Sequence, residues 1–269
     1  MNNIPTKTRT ALAFTDIKDG FSKWNIWILL SWQDIRMRYR RSTLGPFWIT
    51  LSMAITIYTM GLLYGHLFKM ELAHYYPYLA ASMLGWSLIS SLLTDGSGIF
   101  IENEHFLKQI KLPYITFILR ATARNFIIFF HNIFVIIPII IFFHVSVNLF
   151  TLLFLVGLLV IWINAITFGT ILAILGTRFR DITQLINSLI QVVFFLTPVM
   201  WSPAILPEKY QYLVKLNPFA QFLELLRNPL LGTPPSAYAF AVTLAITLVG
   251  IAGSFFIFAR YRARITYWI

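Results

Sequence analysis

The sequence predicts an all-α integral membrane protein. It would have six transmembrane helices, an N-terminal amphipathic interface helix, and a re-entrant periplasmic helical hairpin between spans five and six. Three observations predict it. Hydrophobic residues fill 58% of the 269 positions and charged residues only 12%, about half the charged share of soluble domains. Apolar runs of roughly twenty residues, the length that crosses a bilayer, recur along the chain. Basic residues fall in alternate connecting segments. A soluble enzyme and a disordered scaffold are thereby excluded. A net charge of +11 would otherwise suggest nucleic acid, but topology accounts for it.

Residues 1–46 form a cytoplasmic N-terminal segment, and residues 47–269 a single six-span domain. Residues 1–20 lack an apolar core and scatter Lys7, Arg9, Asp16, Lys18 and Asp19, so no cleavable signal peptide is expected. Phe21, Trp24, Ile28, Trp32, Ile35 and Tyr39 recur every three or four positions and share one helix face. Basic residues lie beside that face, as in a helix resting in the plane of the membrane surface. Arg36, Arg38, Arg40 and Arg41 then sit at phosphate level.

The expected spans are 47–68, 77–99, 114–143, 150–176, 182–200 and 238–259. Of the 21 basic residues, seventeen fall in the termini and even-numbered loops and four in the others. Both termini are therefore expected to be cytoplasmic. In the first span, Gly61 and Gly65 form a G-x-x-x-G run that permits close helix approach. Packing within the chain and against a second copy are both open. Asp95 is an intramembrane carboxylate, which is a functional candidate by default. Its place near the cytoplasmic end, beside two glycines, favours capping or snorkelling.

Two cytoplasmic segments stand out. Residues 102–112 read as a short amphipathic helix, with Phe106, Leu107 and Ile110 on one face and Pro113 opening the next helix. Residues 177–181 form a second small surface. On the other side, residues 201–236 hold six of the twelve prolines. Two short helical patterns, 208–215 and 219–227, lie between them. Asn217 followed by Pro218 suits a cap and first turn. Such a broken apolar segment fits a re-entrant hairpin covered by protein or lining a cavity.

Several chemistries have no residues to carry them. There is no cysteine, so disulfides and thiolate sites are excluded. No G-x-x-x-x-G-K-[ST] run occurs. The five histidines are scattered and no metal-ligand spacing is present; His131 suits a backbone partner. Glu102 and Glu104 are two positions apart on a helix and diverge, which argues against an acid/base pair. No catalytic residue is assigned.

Residues 34–48, DIRMRYRRSTLGPFW, resemble the entry motif of type-2 ABC exporter permeases for bacterial surface polysaccharides, the Wzm-like, KpsM-like and teichoic-acid-exporter-like permeases. The likeness continues through ENEHFLKQIKLP at 102–113, RFRDI at 178–182 and LNPF at 216–219. The stretches follow the family's order and span most of the chain.

The resemblance implies a half-transporter. Two copies would form a channel above two nucleotide-binding ATPase subunits, which would hold the ATP and magnesium; this chain would carry no cofactor. Glu102, Asn103, Glu104, His105, Phe106, Lys108 and Gln109 would belong to the gate or coupling helix. Arg178, Arg180 and Asp181 would form the second coupling contact. The implied cargo is a polysaccharide on a lipid carrier, typically undecaprenyl diphosphate for O-antigens. Arg36, Arg38, Arg40 and Lys108 are the candidates for its phosphates. Trp48, Tyr58, Tyr64, Phe194 and Phe195 are the candidate channel aromatics, and Pro203, Pro207, Asn217, Pro218 and Phe219 the candidate periplasmic gate. Trp86, Trp162, Trp201 and Trp268 are expected at membrane interfaces. Capsule or teichoic-acid export, a drug or lipid permease of the same superfamily, and a transferase acting on polyprenyl-linked sugars are the alternatives. The expected location is the bacterial cytoplasmic membrane, with membrane lipids as partners and no nucleic acid.

Overall fold

The computed structural model describes residues 6–67 and 69–269, with the side chains of 6–8 left out. Phe68, the expected end of the first span, and residues 1–5 lie outside the described residues. Every regular element among the described residues is helical. The α-helices are α1 Thr6–Ser22, α2 Trp24–Arg38, α3 Phe47–Leu67, α4 Leu72–Glu102, α5 Glu104–Gln109, α6 Tyr114–Ile133, α7 Ile136–Phe142, α8 Leu153–Arg178, α9 Asp181–Leu196, α10 Gln211–Leu216, α11 Pro218–Leu230, α12 Ala237–Tyr261 and α13 Ile265–Trp268.

Five helical stretches are long and apolar enough to cross a membrane: Phe47–Leu67, Leu72–Glu102, Tyr114–Phe142, Leu149–Arg178 and Ala237–Trp268. The fifth expected span, 182–200, is not among them. Helix α9 has 16 residues and is about 24 Å long at 1.5 Å per residue, short of the ~30 Å hydrocarbon core. Pro198 is the reason. The residue before a proline is pushed out of the helical region, and Thr197 is extended (ψ 136°). The third span is also interrupted. Pro138 cannot donate to the carbonyl of Phe134, and the helix breaks between α6 and α7. Hydroxyls of α3 cover the loosened backbone: Thr50 donates to the His131 carbonyl (3.0 Å) and Tyr58 to that of Val135 (3.4 Å).

The N-terminal helix differs from expectation. Residues 6–38 form two helices broken at Lys23, so Phe21 lies on α1, Trp24, Ile28, Trp32 and Ile35 on α2, and Tyr39 just past its end. Trp24, Ile28 and Trp32 are exposed, whereas Ile35 is buried with Ser31. The Ser31 hydroxyl donates to the Arg120 carbonyl of α6 (2.8 Å). The break lets α1 and α2 each pack on their own stretch of α6.

Helix α4 is the hub, packing against α3, α6, α8, α9 and α11. Small residues make its crossing with α8 possible. A Cβ on Gly176 would strike the Ser97 carbonyl oxygen, and one on Gly96 would lie 3.5 Å from the Gly169 Cα. The Gly61/Gly65 pair is used within the chain, against Tyr76 and Leu72. One apolar cluster, including Leu84, Phe129, Ile136, Phe154 and Leu226, fills one half of the bundle. A second, including Phe100, Phe117, Ile118, Ile174 and Phe258, fills the half nearer the termini. Helix α9 has no buried residue.

Candidate functional site

Helix α5, the 178–181 turn and the C-terminus gather at one end of the bundle. The Lys108 ammonium donates to the Glu104 carboxylate (2.6 Å) and to the Ile269 carbonyl (3.1 Å). The Arg178 guanidinium lies over the rings of Phe179 (4.9 Å) and Trp268 (5.5 Å). The Lys108 bond and charge hold the Glu104 carboxyl below its usual value, and the positive charge of Arg180 adds to this. No residue of α5 is buried. Leu107 packs on the core cluster beside it, while residues 107–114 border an open cavity of about 570 Å³ shared with Asp16, Asp19, Lys23 and Arg262.

The residues singled out in this region thus fall together. Glu102 ends α4, and Asn103 forms the hinge to α5. The Asn103 amide donates to the Ile99 carbonyl (2.7 Å). His105 and Gln109 stand one turn apart on the exposed surface. Arg178, Arg180 and Asp181 are exposed, with Asp181 opening α9. Arg36, Arg38 and Arg40 are exposed at and just past the end of α2. Lys108, grouped with them as a candidate phosphate ligand, bonds Glu104 and Ile269.

Behind α5 lies a polar network that the sequence reading did not assemble. Arg120 of α6 grips Asp34 of α2 as a fork, through Nε (2.9 Å) and Nη2 (2.5 Å). Its Nη1 donates to the Asn103 side-chain oxygen (2.9 Å). Arg124, one turn on, bridges Asp34 (3.3 Å) and Asp95 of α4 (2.7 Å). The Asn125 amide also donates to Asp95 (2.8 Å). Asp95 therefore neither caps nor snorkels; it is half of an ion pair. The signal was present, since an intramembrane charge calls for a named partner and Arg120 and Arg124 share a helix face.

At the opposite end, α11 folds back against α4, α8 and α12. Asn217 caps it as expected, accepting from the amides of Phe219 (2.9 Å) and Ala220 (3.4 Å), with Pro218 at the first position. The Asn217 amide donates to Thr197 Oγ1 (3.0 Å), tying α11 to the end of α9. Pro203 opens a short 3₁₀ turn capped by Ser202, and Pro207 precedes a second. Arg227 is buried in α11. It donates to the Pro198 carbonyl (2.9 Å) and the Tyr78 hydroxyl (2.8 Å), and lies over the Tyr78 ring (4.5 Å). Tyr75 and Tyr78 donate to the carbonyls of Met200 (2.7 Å), Pro198 and Trp201 (3.0 Å each). The chain after α9 is thus stapled to α4.

The aromatic candidates divide. Phe194 meets Phe195 (5.4 Å) and Trp86 (5.7 Å), and Trp86 meets Phe219 (6.2 Å). Trp86 is 6% exposed. It belongs to a buried cluster with Val199 and Leu223 rather than to a membrane interface, because Gly85 beside it lets α11 come close. Tyr58 belongs elsewhere, at the α7 break and against Tyr76. Trp48 is exposed near the start of α3 and Tyr64 half-buried near its end. No group of residues with metal-holding potential occurs among the described residues. The His131 imidazole Nδ1 lies 2.8 Å from the Ile127 carbonyl oxygen.

Comparisons with known proteins bear on this arrangement. The chain is 22% identical to an O-antigen export system permease protein, RfbA, of Klebsiella pneumoniae, over 85% of this chain and 90% of that one. A second protein of the same name and organism is 22% identical over 89% and 93%. RfbA of Myxococcus xanthus is 19% identical over 77% and 80%. A family profile described as ABC-2 type transporter matches residues 26–231, from α2 through the end of α11. The match takes in α5, the 178–181 turn, the hub helix α4 and helix α11 alike, and the chain belongs to the ABC-2 type transporter family.

Proposed function

We propose that the chain is the membrane-spanning half of an ATP-driven exporter that moves lipid-linked O-antigen polysaccharide across the bacterial cytoplasmic membrane. The observation that carries this reading is the gathering of α5 and the 178–181 turn at the end that holds the C-terminus. An exposed six-residue helix beside a second exposed turn offers a docking surface for an ATPase. The names of the relatives support the cargo. The lipid carrier, typically undecaprenyl diphosphate, follows from the family resemblance. Seventeen basic residues against four support cytoplasmic termini. Helix α9 and the stapled segment after it supply a sixth crossing.

Two copies build the channel. Helix α9 packs on α4 along one side but has no fully buried residue, and α3 is mostly unburied; a second copy would cover these surfaces. Phe195, exposed on α9, and its neighbour Phe194 are the channel aromatics nearest the gate residue Phe219, and aromatic rings there would stack on sugars whatever their charge. ATP and magnesium belong to the partner ATPase, because this chain has no phosphate-cradling run of its own. The chain makes and breaks no bond. The ATPase closes on ATP and moves α5 and the 178–181 turn, and the bundle shifts between sealed and conducting states.

Purification of the full chain from native membranes in mild detergent tests this. A P-loop ATPase should co-purify in equimolar amount. Recovery of the chain without any such ATPase contradicts the reading.

A further inference from the structure

We infer that Arg120 is a positioning residue for energy coupling, fixing α5 to the ion pairs that join α2, α4 and α6. The inference rests on the exporter reading above and deepens it. Helix α5 is a poor lever by itself. It has six residues and none is buried. It joins α4 through Asn103, whose backbone (φ −104°, ψ 16°) leaves the helix. One flank borders an open cavity of about 570 Å³. A push on such an element would be absorbed at the hinge unless something stiff stands behind it.

Arg120 is that support. A single guanidinium serves three groups. Two of its nitrogens hold both oxygens of Asp34, and a third holds the hinge residue Asn103 (2.9 Å). Its face lies 5.6 Å from the ring centre of Phe106, in the middle of α5, within reach of a cation–π attraction. Only arginine offers a rigid planar fork and a stacking face together.

The far side of the network is anchored in the bundle. Arg124 ties Asp34 to Asp95, seven residues inside the end of α4. The four charged side chains are 14–28% exposed, and their charges balance. With these side chains largely covered, removing one partner leaves another without its counter-charge. Displacement of Phe106 or Asn103 is therefore passed to α2, α4 and α6 together.

The test compares variants of the complete complex, chain plus ATPase, in proteoliposomes. Complex assembly, ATP hydrolysis and glycan exported per ATP are read separately. Phe106→Leu keeps bulk and loses the π face; Phe106→Tyr keeps both. Phe106→Leu and Arg120→Lys should assemble and hydrolyse ATP, with export per ATP down about fivefold or more. Phe106→Tyr should stay within about twofold of wild type. Because Phe106 is partly exposed, the Phe106 pair decides the matter even if Arg120→Lys fails to fold. Unchanged export per ATP in Phe106→Leu overturns the inference, as does an equal loss in Phe106→Tyr. In both cases wild-type export leaves the exporter reading standing. A wild-type complex that hydrolyses ATP and exports nothing overturns the exporter reading, and this inference with it.

Discussion

Asp16 and Arg227 are both buried charges, and the fold treats them differently. Asp16 is 4% exposed. It accepts from Arg262 at 2.8 Å and from the Ile115 amide at 3.3 Å. Burial pushes its carboxyl up by more than Arg262 pulls it down. A carboxyl raised in the folded state takes up its proton there first, so its contribution is greatest at low pH and falls as pH rises through the folded value. Asp16→Asn keeps an acceptor for Ile115 and removes the desolvated charge. Its melting temperature at neutral pH should match or exceed wild type, and the two should converge at acid pH where Asp16 is protonated in both states. Thermal unfolding in detergent across pH measures this, and a neutral-pH loss contradicts it. Arg227 has no carboxylate partner among the described ion pairs; carbonyl, hydroxyl and ring take that role. A lysine lacks the planar guanidinium that lies over the Tyr78 ring while Nη1 reaches carbonyl and hydroxyl, so Arg227→Lys should lower stability by about 2 kcal/mol, read as a drop in melting temperature. Neither residue's role was legible in the sequence, because the partners are 246 and 149 positions away and no short-range spacing encodes them.

Helix contacts were more legible where one residue sets them. The cap at Asn217 and first-turn Pro218 follow from local chemistry and occur as expected. The end of α9 at Leu196 and the break before α7 are encoded by Pro198 and Pro138, local signals that sit inside long apolar runs. The Gly61/Gly65 run announced a close approach but not its partner, which is α4 of the same chain. The α4–α8 crossing gives a sharper test. At Gly176 a Cβ would meet the fixed Ser97 carbonyl, whereas at Gly253 it would find only Ile171 Cδ1 at 4.0 Å. Gly176→Ala should cost about 1–3 kcal/mol, and Gly253→Ala should gain roughly 0.5–1 kcal/mol. Melting temperatures of the two, side by side, check the assignment of the crossing.

For the whole molecule, charge placement carried the most information. Seventeen of 21 basic residues fall in the termini and the even-numbered loops, and α5, the 178–181 turn and the C-terminus gather at one end of the bundle. Helix α5 and the 178–181 turn were legible as short elements because each is continuous in sequence. The network behind them was not, since Asp34 and Arg120 lie 86 positions apart. The low charged fraction that marks a membrane protein also makes each interior charge count. Arg120, Arg124, Asp34 and Asp95 are spent on one another, while Arg36, Arg38 and Arg40 stay exposed. The most direct test of the central claim uses inside-out vesicles from cells making this chain and its ATPase. Entry of lipid-linked glycan into the vesicle lumen is followed with and without ATP. The account predicts entry that requires ATP hydrolysis and this chain together. Equal entry in vesicles lacking the chain, or entry indifferent to ATP, would contradict it.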